Sequence, residues 1–416
     1  MTVDLSDLVG VRQSITAILP ARLKTDPSWP SGPLPFELGT RRTDAATRQT
    51  YFAPAAARAL YARRWHRTVS AAAGPLRLVG LELLHAPTPS APQQALTILH
   101  FEVTGPHLLS TLRAIGHRPG AGPDPLTGPH DPAVLFAGVA DTRSPAGPFA
   151  IVRPYTVAFL SPRITQTAAL REPSGALPAS ADRWLWSLAS RSTEADFPTP
   201  PEHFSVMERE AVRISADWSA LILRHGAAFL GHRSDGGDGD FYGFAALHTR
   251  TVYLDALLLG AIQRDHIDAL TDDLSAVFDG PGLARRVASL EQHIALFRST
   301  YWRQHLTAHG PANELLLAYQ AQHRLPERFT EILAEAADYS RLVQTQESQQ
   351  IAGALGVLTI LGLPVSTALG ILQVMGDQDP VHLLIALAGA FAVTAGALTT
   401  RYGRLVLSSL RGGRPG

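Results

Sequence analysis

Three polar side chains recur at heptad spacing in a long uncharged stretch near the end of the chain. They are Thr359, Ser366 and Gln373, and no charged residue occurs from Ser348 to Gly376. A heptad repeat keeps such side chains on one face of a helix that winds about its neighbours. Two interpretations stay open. The hydroxyl and amide groups can line a narrow aqueous pore in an oligomer, or the small polar residues can let helices pack closely.

The pore interpretation also predicts the lining of the pore and its outer mouth. Asp377 and Asp379 follow the stretch directly, and in an oligomer they would form acidic rings that concentrate cations. The alternative for these two residues is an ordinary solvated turn. The predicted lining residues are Thr359, Leu363, Ser366, Gly370 and Gln373.

Two other groups of residues could in principle bind a metal ion. The acidic run from Asp235 to Asp240 lacks the glutamate that an EF-hand requires and occurs once, so a hairpin loop is the better interpretation. His305 and His309 are four apart, but Gly310 and Pro311 end the helix there, which favours a structural or solvated role. The identity of any metal ligand stays unknown.

No motif in the sequence indicates catalysis. His-Glu-x-x-His, Gly-x-Ser-x-Gly and phosphate-binding glycine loops are all missing from the 416 residues. The chain has no cysteine, which excludes thiol chemistry and disulfides. Its 36 basic residues balance its 36 acidic residues, so no charge excess points to nucleic acid as a partner. We therefore predict a protein that is not an enzyme and has no catalytic residues.

The stretch from Gln349 to Thr400 predicts the location of the protein. About 20 apolar residues cross a bilayer as a helix, and uncharged runs before Asp377 and after Pro380 reach that length. Arginine is enriched on the cytoplasmic side of membranes. The pattern predicts a multi-pass protein of the plasma (inner) membrane, in contact with the lipid bilayer, with both termini cytoplasmic. The arginines that follow the second run are Arg401, Arg404, Arg411 and Arg414.

The rest of the chain alternates between strand-like and helix-like patterns. Leu76–Leu84 and Ala95–Val103 predict a hairpin with a long loop, whereas Ala133–Val139 and Phe241–Leu247 predict further strands. The predicted fold class is an α+β cytoplasmic domain followed by long helices and two C-terminal transmembrane helices. The predicted parts are an α/β sheet domain (1–250), a helical region (251–325), a stalk helix entering the first span (326–375), an outer turn (376–380), a second span (381–400) and a basic cytoplasmic tail (401–416).

This order of parts, together with the run Leu358–Pro364 and the pair Gly370-Ile371, resembles the CorA-like divalent metal cation (magnesium) transporters. The resemblance implies a homopentamer whose first transmembrane helix lines the pore, and Mg²⁺ or another divalent cation as the transported ion. In that family a Gly-Met-Asn sequence closes the first span and forms the selectivity ring. Here the equivalent positions hold Gln373, Val374 and Met375.

Two functional hypotheses follow from these patterns. The first is a homo-oligomeric channel or transporter for divalent metal cations with a CorA-like architecture. The second is a membrane-anchored signalling or effector protein that has the same fold but does not conduct ions. The missing Gly-Met-Asn sequence and the large N-terminal domain motivate the second hypothesis.

Overall fold

The computed structural model describes residues 10–39, 41–118, 120–142, 153–163, 180–193, 196, 210–302, 307–375 and 380–399. The chain divides into two compact units. The first unit comprises Met1–Ser275 and Gln292–Ile332, and the second comprises Ala276–Glu291 and Leu333–Gly416. Every side-chain cluster considered below lies within the first unit.

A nine-stranded mixed sheet forms the centre of the first unit. Its strand order is β4-β5-β6-β1-β8-β11-β10-β9, and β7 pairs with the end of β1; β2 and β3 form a separate ribbon. The strands are β1 Gly10–Leu23, β2 Phe36–Leu38, β3 Arg41–Thr43, β4 Arg64–Ala73, β5 Leu76–His85, β6 Gln94–Val103, β7 Ala140–Asp141, β8 Tyr155–Pro162, β9 Val212–Ser215, β10 Trp218–Leu223 and β11 Gly226–Gly231. All neighbours pair antiparallel except β8 and β11, which are parallel.

Helices flank the sheet and continue to the end of the described chain. They are α1 Ala45–Gln49, α2 Pro54–Tyr61, α3 Leu108–Ile115, α4 Pro132–Leu135, α5 Ser180–Ser190, α6 Phe241–Arg250, α7 Val252–Ser275, α8 Leu283–Thr300, α9 Gly310–Gln322, α10 Leu325–Met375 and α11 Pro380–Thr399. The range predicted for the stalk helix lies in α10, a single helix of 51 residues that contains Pro364.

Alternation along the strands divides the core into two clusters, because successive side chains of a strand point to opposite faces of the sheet. Ile18, Ile98 and Phe159 belong to the cluster that includes residues of α2, α6, α7 and α9. Ala17 and Leu99, one position away, belong to the cluster that includes residues of α3 and α5. The sheet is therefore covered by helices on both faces, as in other three-layer α/β domains.

The predicted hairpin is confirmed, and two predicted strands are wrong. β5 and β6 pair antiparallel from Leu76 opposite Val103 to His85 opposite Ala95. The predicted strand over Phe241–Leu247 is the helix α6, because the carboxylate of Asp240 accepts a hydrogen bond from the backbone N–H of Tyr242 and caps the helix. Asp131 caps α4 in the same way, where a strand was predicted over Ala133–Val139.

The prediction of two C-terminal transmembrane helices is wrong. Within the ranges given above, no helix combines the length and the apolar character that crossing a bilayer requires. The prediction relied on the absence of charge, but a crossing also needs about 20 residues of sustained apolar surface, and Thr359, Ser366 and Gln373 interrupt the first run. The assignment to the plasma membrane as a multi-pass protein and the description as a transmembrane ion channel are corrected by the same finding.

Candidate functional site

The predicted pore-lining residues lie on one long helix, α10. Thr359, Gly370 and Gln373 are exposed on α10, and Val374 is 89% exposed. The hydroxyl of Thr359 donates to the carbonyl of Leu355 at 2.8 Å, so it bonds to its own helix. Ser366 is also exposed. The side chains of Leu363 and Met375, and the whole of Asp377 and Asp379, lie outside the described residues.

The acidic run after β11 is a connection to a helix and not the predicted hairpin loop. The buried carboxylate of Asp235 binds the guanidinium of Arg12 and accepts a hydrogen bond from the hydroxyl of Ser161 at 2.5 Å. Asp240 caps α6 and accepts two hydrogen bonds from Arg233. Both carboxylates are thus committed to protein partners. His309 precedes α9 and its ring contacts Tyr51 and His248, while His305 lies outside the described residues.

A basic pocket lies within the first unit, and no sequence motif predicted it. It has a volume of about 460 Å³. Its basic lining residues come from four places: the turn between β10 and β11, the helix α7, the junction between α9 and α10, and the first turn of α10. These residues are Arg224, His225, Arg264, His323, Arg324 and Arg328. Glu327 and Glu331, both exposed on the first turns of α10, complete the lining.

Two arginines of this pocket have no acidic partner, and two have one. Arg264 donates to Asp265 at 2.7 Å and Arg328 donates to Asp268 at 2.6 Å. Among the described residues, neither Arg224 nor Arg324 forms a salt bridge or a side-chain hydrogen bond. An unpaired guanidinium presents up to five donors in a plane, which suits the oxygen atoms of a phosphate, sulfate or carboxylate.

The local backbone holds these cations at the pocket. Arg224 and His225 form the two-residue turn that closes the antiparallel pair β10–β11, where Leu223 is opposite Gly226. Arg324 lies between α9 and α10 with a φ of 52°, in the left-handed region that non-glycine residues seldom occupy. Such conformations cost free energy and concentrate at functional sites.

Tyr319 on α9 supports the floor of the pocket. Its hydroxyl accepts a hydrogen bond from Arg264 at 3.3 Å, and its ring lies 4.4 Å from that of His323. Gly260 on α7 permits this position, because an added Cβ would come within 2.5 Å of the Tyr319 ring. The pocket is therefore built on two packed helices and a tight turn.

The histidines report a positive potential in the pocket. Burial, and then the neighbouring cations Arg264 and Arg224, lower the pKa of His323 to about 3. Burial and then the cations led by Arg191 also lower the pKa of His225. The Nε2 atom of His323 is buried and has no hydrogen-bond partner. A bound anion would offset this potential and supply an acceptor.

A second charged cluster, which we call the buried ion network, is closed to solvent. Asp255 of α7 accepts hydrogen bonds from Tyr61 at 2.7 Å, Arg64 at 2.7 Å and Arg48 at 3.4 Å. Arg64 also donates to Glu82 at 2.5 Å. Burial raises the pKa of Glu82, but the Arg64 cation and the hydrogen bond from His100 outweigh that effect and lower it. All of these charges are paired, which suits a structural role.

His100 continues this network as a neutral side chain. Burial lowers its pKa in spite of the nearby Glu82 carboxylate. Its Nε2–H donates to Glu82 across 2.7 Å, which leaves Nδ1 to accept from the hydroxyl of Thr16 at 3.2 Å. This series of hydrogen bonds extends from the sheet to α7. Sequence reasoning missed it, although a charged residue inside an otherwise apolar strand, such as Glu82 in Leu76–His85, is the signal that could have shown it.

Comparison of the chain with protein-family models, with curated proteins and with solved structures finds no match. The resemblance to CorA-like transporters therefore stays a prediction. Within the described ranges, no group of three or more histidine or acidic side chains could hold a metal ion.

Proposed function

We propose that this protein is a binding and effector protein whose sheet unit recognises a small, multiply charged anion in the basic pocket. The observation that supports this most directly is that two unpaired guanidinium groups line one cavity. They belong to Arg224 and Arg324, which are far apart in the sequence. Each charge-assisted hydrogen bond to an anion contributes about 1.5–3 kcal/mol. Arg264 and Arg328, which already have carboxylate partners, would add attraction at longer range.

The chemical class of the ligand follows from the cations and the size of the cavity. Planar guanidinium groups bind phosphate, sulfate and carboxylate oxygens in pairs. A cavity of about 460 Å³ accommodates a molecule larger than a single phosphate ion. Glu327 and Glu331 at the rim would disfavour ligands with negative charge outside the centre of the pocket. A compact phosphorylated metabolite or a pyrophosphate group fits these conditions.

This proposal takes one part of the second functional hypothesis, an effector that does not conduct ions, and leaves out the membrane anchor of that hypothesis. The proposed role involves no chemical step on the bound anion. A binding role also agrees with the state of the two histidines in the pocket. Among the described residues, neither His225 nor His323 has a hydrogen bond or ion pair with a carboxylate that could orient it as a base. Homo-oligomer formation and the transport of Mg²⁺ or another divalent cation stay predictions from the resemblance.

Isothermal titration calorimetry with pyrophosphate, in a buffer free of divalent metal ions, tests the proposal. We expect Arg224→Gln and Arg324→Gln each to weaken pyrophosphate binding by roughly tenfold or more, since each removes a charge-assisted contact. Arg58→Gln is the matched control, because Arg58 is exposed on α2 and lies outside the pocket. The proposal is wrong if the wild-type chain binds neither pyrophosphate nor sulfate, or if the control weakens binding as much as the pocket variants.

A further inference from the structure

A second cavity, different in chemistry from the basic pocket, lies over the sheet face that α6 covers. Its volume is about 450 Å³. The start of β1, the end of β6, the ribbon strand β2 and the helix α6 surround it. We call it the α6 cavity, and its walls include Phe36, Leu38, Phe159, Ala246, Leu247 and Arg250. No residue of the basic pocket takes part in it.

The cation in the α6 cavity has few and weak partners. The side chain of Arg250 is 14% exposed and contacts Glu102 and the carbonyl of Phe101, each at 3.4 Å. Its Nε atom is buried and has no hydrogen-bond partner. Burial lowers the pKa of Arg250, with Glu102 opposing. A buried guanidinium with long contacts and a free donor leaves room for a closer acceptor.

The other cation near this cavity is already neutralised. Arg12 binds the buried carboxylate of Asp235 and donates to the carbonyl of Gly237 at 2.5 Å. Arg250 is therefore the group that an acidic ligand would reach. Its guanidinium lies over the Phe36 ring, 5.5 Å from the ring centre, so the aromatic ring stabilises the cation on that side of the cavity.

Part of the remaining wall is apolar, and polar residues also line the cavity: Gln13, Ser14, Glu37, Glu102 and Thr104. Phe36, Leu38, Phe159 and Leu247 line the space beside Arg250. Apolar cavities with a few convergent polar groups are typical of sites for small organic molecules. Gly243 of α6 adds to the room, because a Cβ there would approach the Leu38 side chain to 3.3 Å.

We infer that the α6 cavity binds a small carboxylate with an apolar body, whose carboxylate pairs with Arg250 and whose body lies against Phe36 and Leu38. This inference is independent of the proposed anion function, since the two sites share no residue and differ in the charge and polarity of the ligand. Apolar amino acids and simple arylalkyl or alkyl carboxylic acids both have this chemistry. Glu37 and Glu102 at the cavity would favour the amino acids, because their carboxylates could accept hydrogen bonds from the ammonium group of the ligand.

Titration of the full chain with 3-phenylpropionate, followed by calorimetry, tests the inference. We expect 3-phenylpropionate to bind saturably. Binding should be weaker by roughly tenfold or more for the neutral isostere 3-phenylpropionamide, which cannot pair with Arg250. It should be weaker by a similar factor for propionate, which lacks the apolar body. L-phenylalanine in place of 3-phenylpropionate separates the two sources of ligand: tighter binding assigns the site to amino acids, and weaker binding assigns it to simple carboxylic acids.

Ala246→Phe is the main variant, because it fills the cavity and leaves every charged group in place. We expect it to abolish binding of 3-phenylpropionate while Ala334→Phe, the same substitution at an exposed position of α10, leaves binding unchanged. Arg250→Lys keeps the charge but loses the planar guanidinium that can donate two hydrogen bonds to a carboxylate, and we expect roughly tenfold weaker binding. Thermal unfolding of each variant shows that it is folded. The inference is overturned if 3-phenylpropionate does not bind, if the amide binds equally well, or if Ala246→Phe has no effect while Arg224→Gln abolishes binding.

Discussion

At the scale of single residues, burial determines which histidines are neutral. His266 of α7 is 5% exposed, and its ring centre lies 4.3 Å from that of Tyr301 and 5.7 Å from that of Phe297. Burial lowers its pKa from 6.5 to about 4. The unfolded chain binds a proton at His266 below about pH 6.5, whereas the folded chain does not until about pH 4. The stability that neutral His266 contributes is therefore present above pH 6.5 and is lost as the pH falls toward 4.

Replacement of His266 by Phe removes this source of acid sensitivity. A difference of 2.5 units between the unfolded and folded pKa corresponds to about 3 kcal/mol. We expect His266→Phe to lose about 2–3 kcal/mol less of its free energy of unfolding than the wild type between pH 7 and pH 4, measured by urea denaturation at each pH. His107→Phe, at an exposed position, should leave the pH dependence as it is. Parallel pH curves for His266→Phe and the wild type would contradict the assignment.

At the scale of elements, sequence patterns predicted the strands and helices that follow from a regular pattern of neighbouring residues. They missed a helix whose formation depends on a single capping residue. The hairpin β5–β6 and the long helix α10 follow from alternation and from an unbroken helical pattern, and both were predicted. The residues Phe241–Leu247 have apolar and aromatic side chains that suit a strand equally well. Asp240 decides between the two structures, because its carboxylate satisfies N–H groups that only a helix leaves free.

Asp240 performs two tasks for α6 that substitutions can separate. It accepts hydrogen bonds from the backbone of Gly236 and Tyr242, and it pairs with both terminal nitrogens of Arg233. The hydrogen bonds from Arg233 are the main cause of the lowered pKa of Asp240. We expect Asp240→Ala to cost about 1–3 kcal/mol of unfolding free energy and Asp240→Asn clearly less, since asparagine also caps helices. Urea denaturation measures both, and an Asp240→Ala variant as stable as the wild type would refute the capping role.

At the scale of the whole molecule, the candidate sites arise from residues far apart in the chain, and for this reason the sequence did not show them. The basic pocket joins a turn at Arg224 to a helix junction at His323 and Arg324. The α6 cavity joins Phe36 of the ribbon strand β2 to Arg250 of the helix α6. Strand periodicity predicts which residues share a face, but not which helix covers that face. The heptad positions on α10 were visible because they lie on one element, and they turned out to be exposed there.

The buried ion network connects several elements of the first unit, and its central group is Asp255. Asp255 binds Tyr61 of α2, Arg64 of β4 and Arg48 of α1, and through Arg64 it reaches Glu82 of β5. Loss of its negative charge would leave two buried guanidinium groups with one carboxylate between them. We expect Asp255→Asn to lower the free energy of unfolding by about 3–5 kcal/mol, the cost typical of breaking a buried ion pair.

The matched control for Asp255 lies on the same helix. Asp272 of α7 is exposed to solvent on one side. The part of its carboxylate that the protein covers raises its pKa, and its like-charged neighbours Asp268 and Asp273 raise it further. Asp272→Asn removes that repulsion, so we expect it to be neutral or slightly stabilising. Urea denaturation gives the two free energies, and hydrogen exchange shows whether amides of β4, β5 and α7 lose protection together in Asp255→Asn. Equal stability of Asp255→Asn and Asp272→Asn would mean that hydrophobic packing alone joins α7 to the sheet, and that the buried charges are not needed to hold the two layers together.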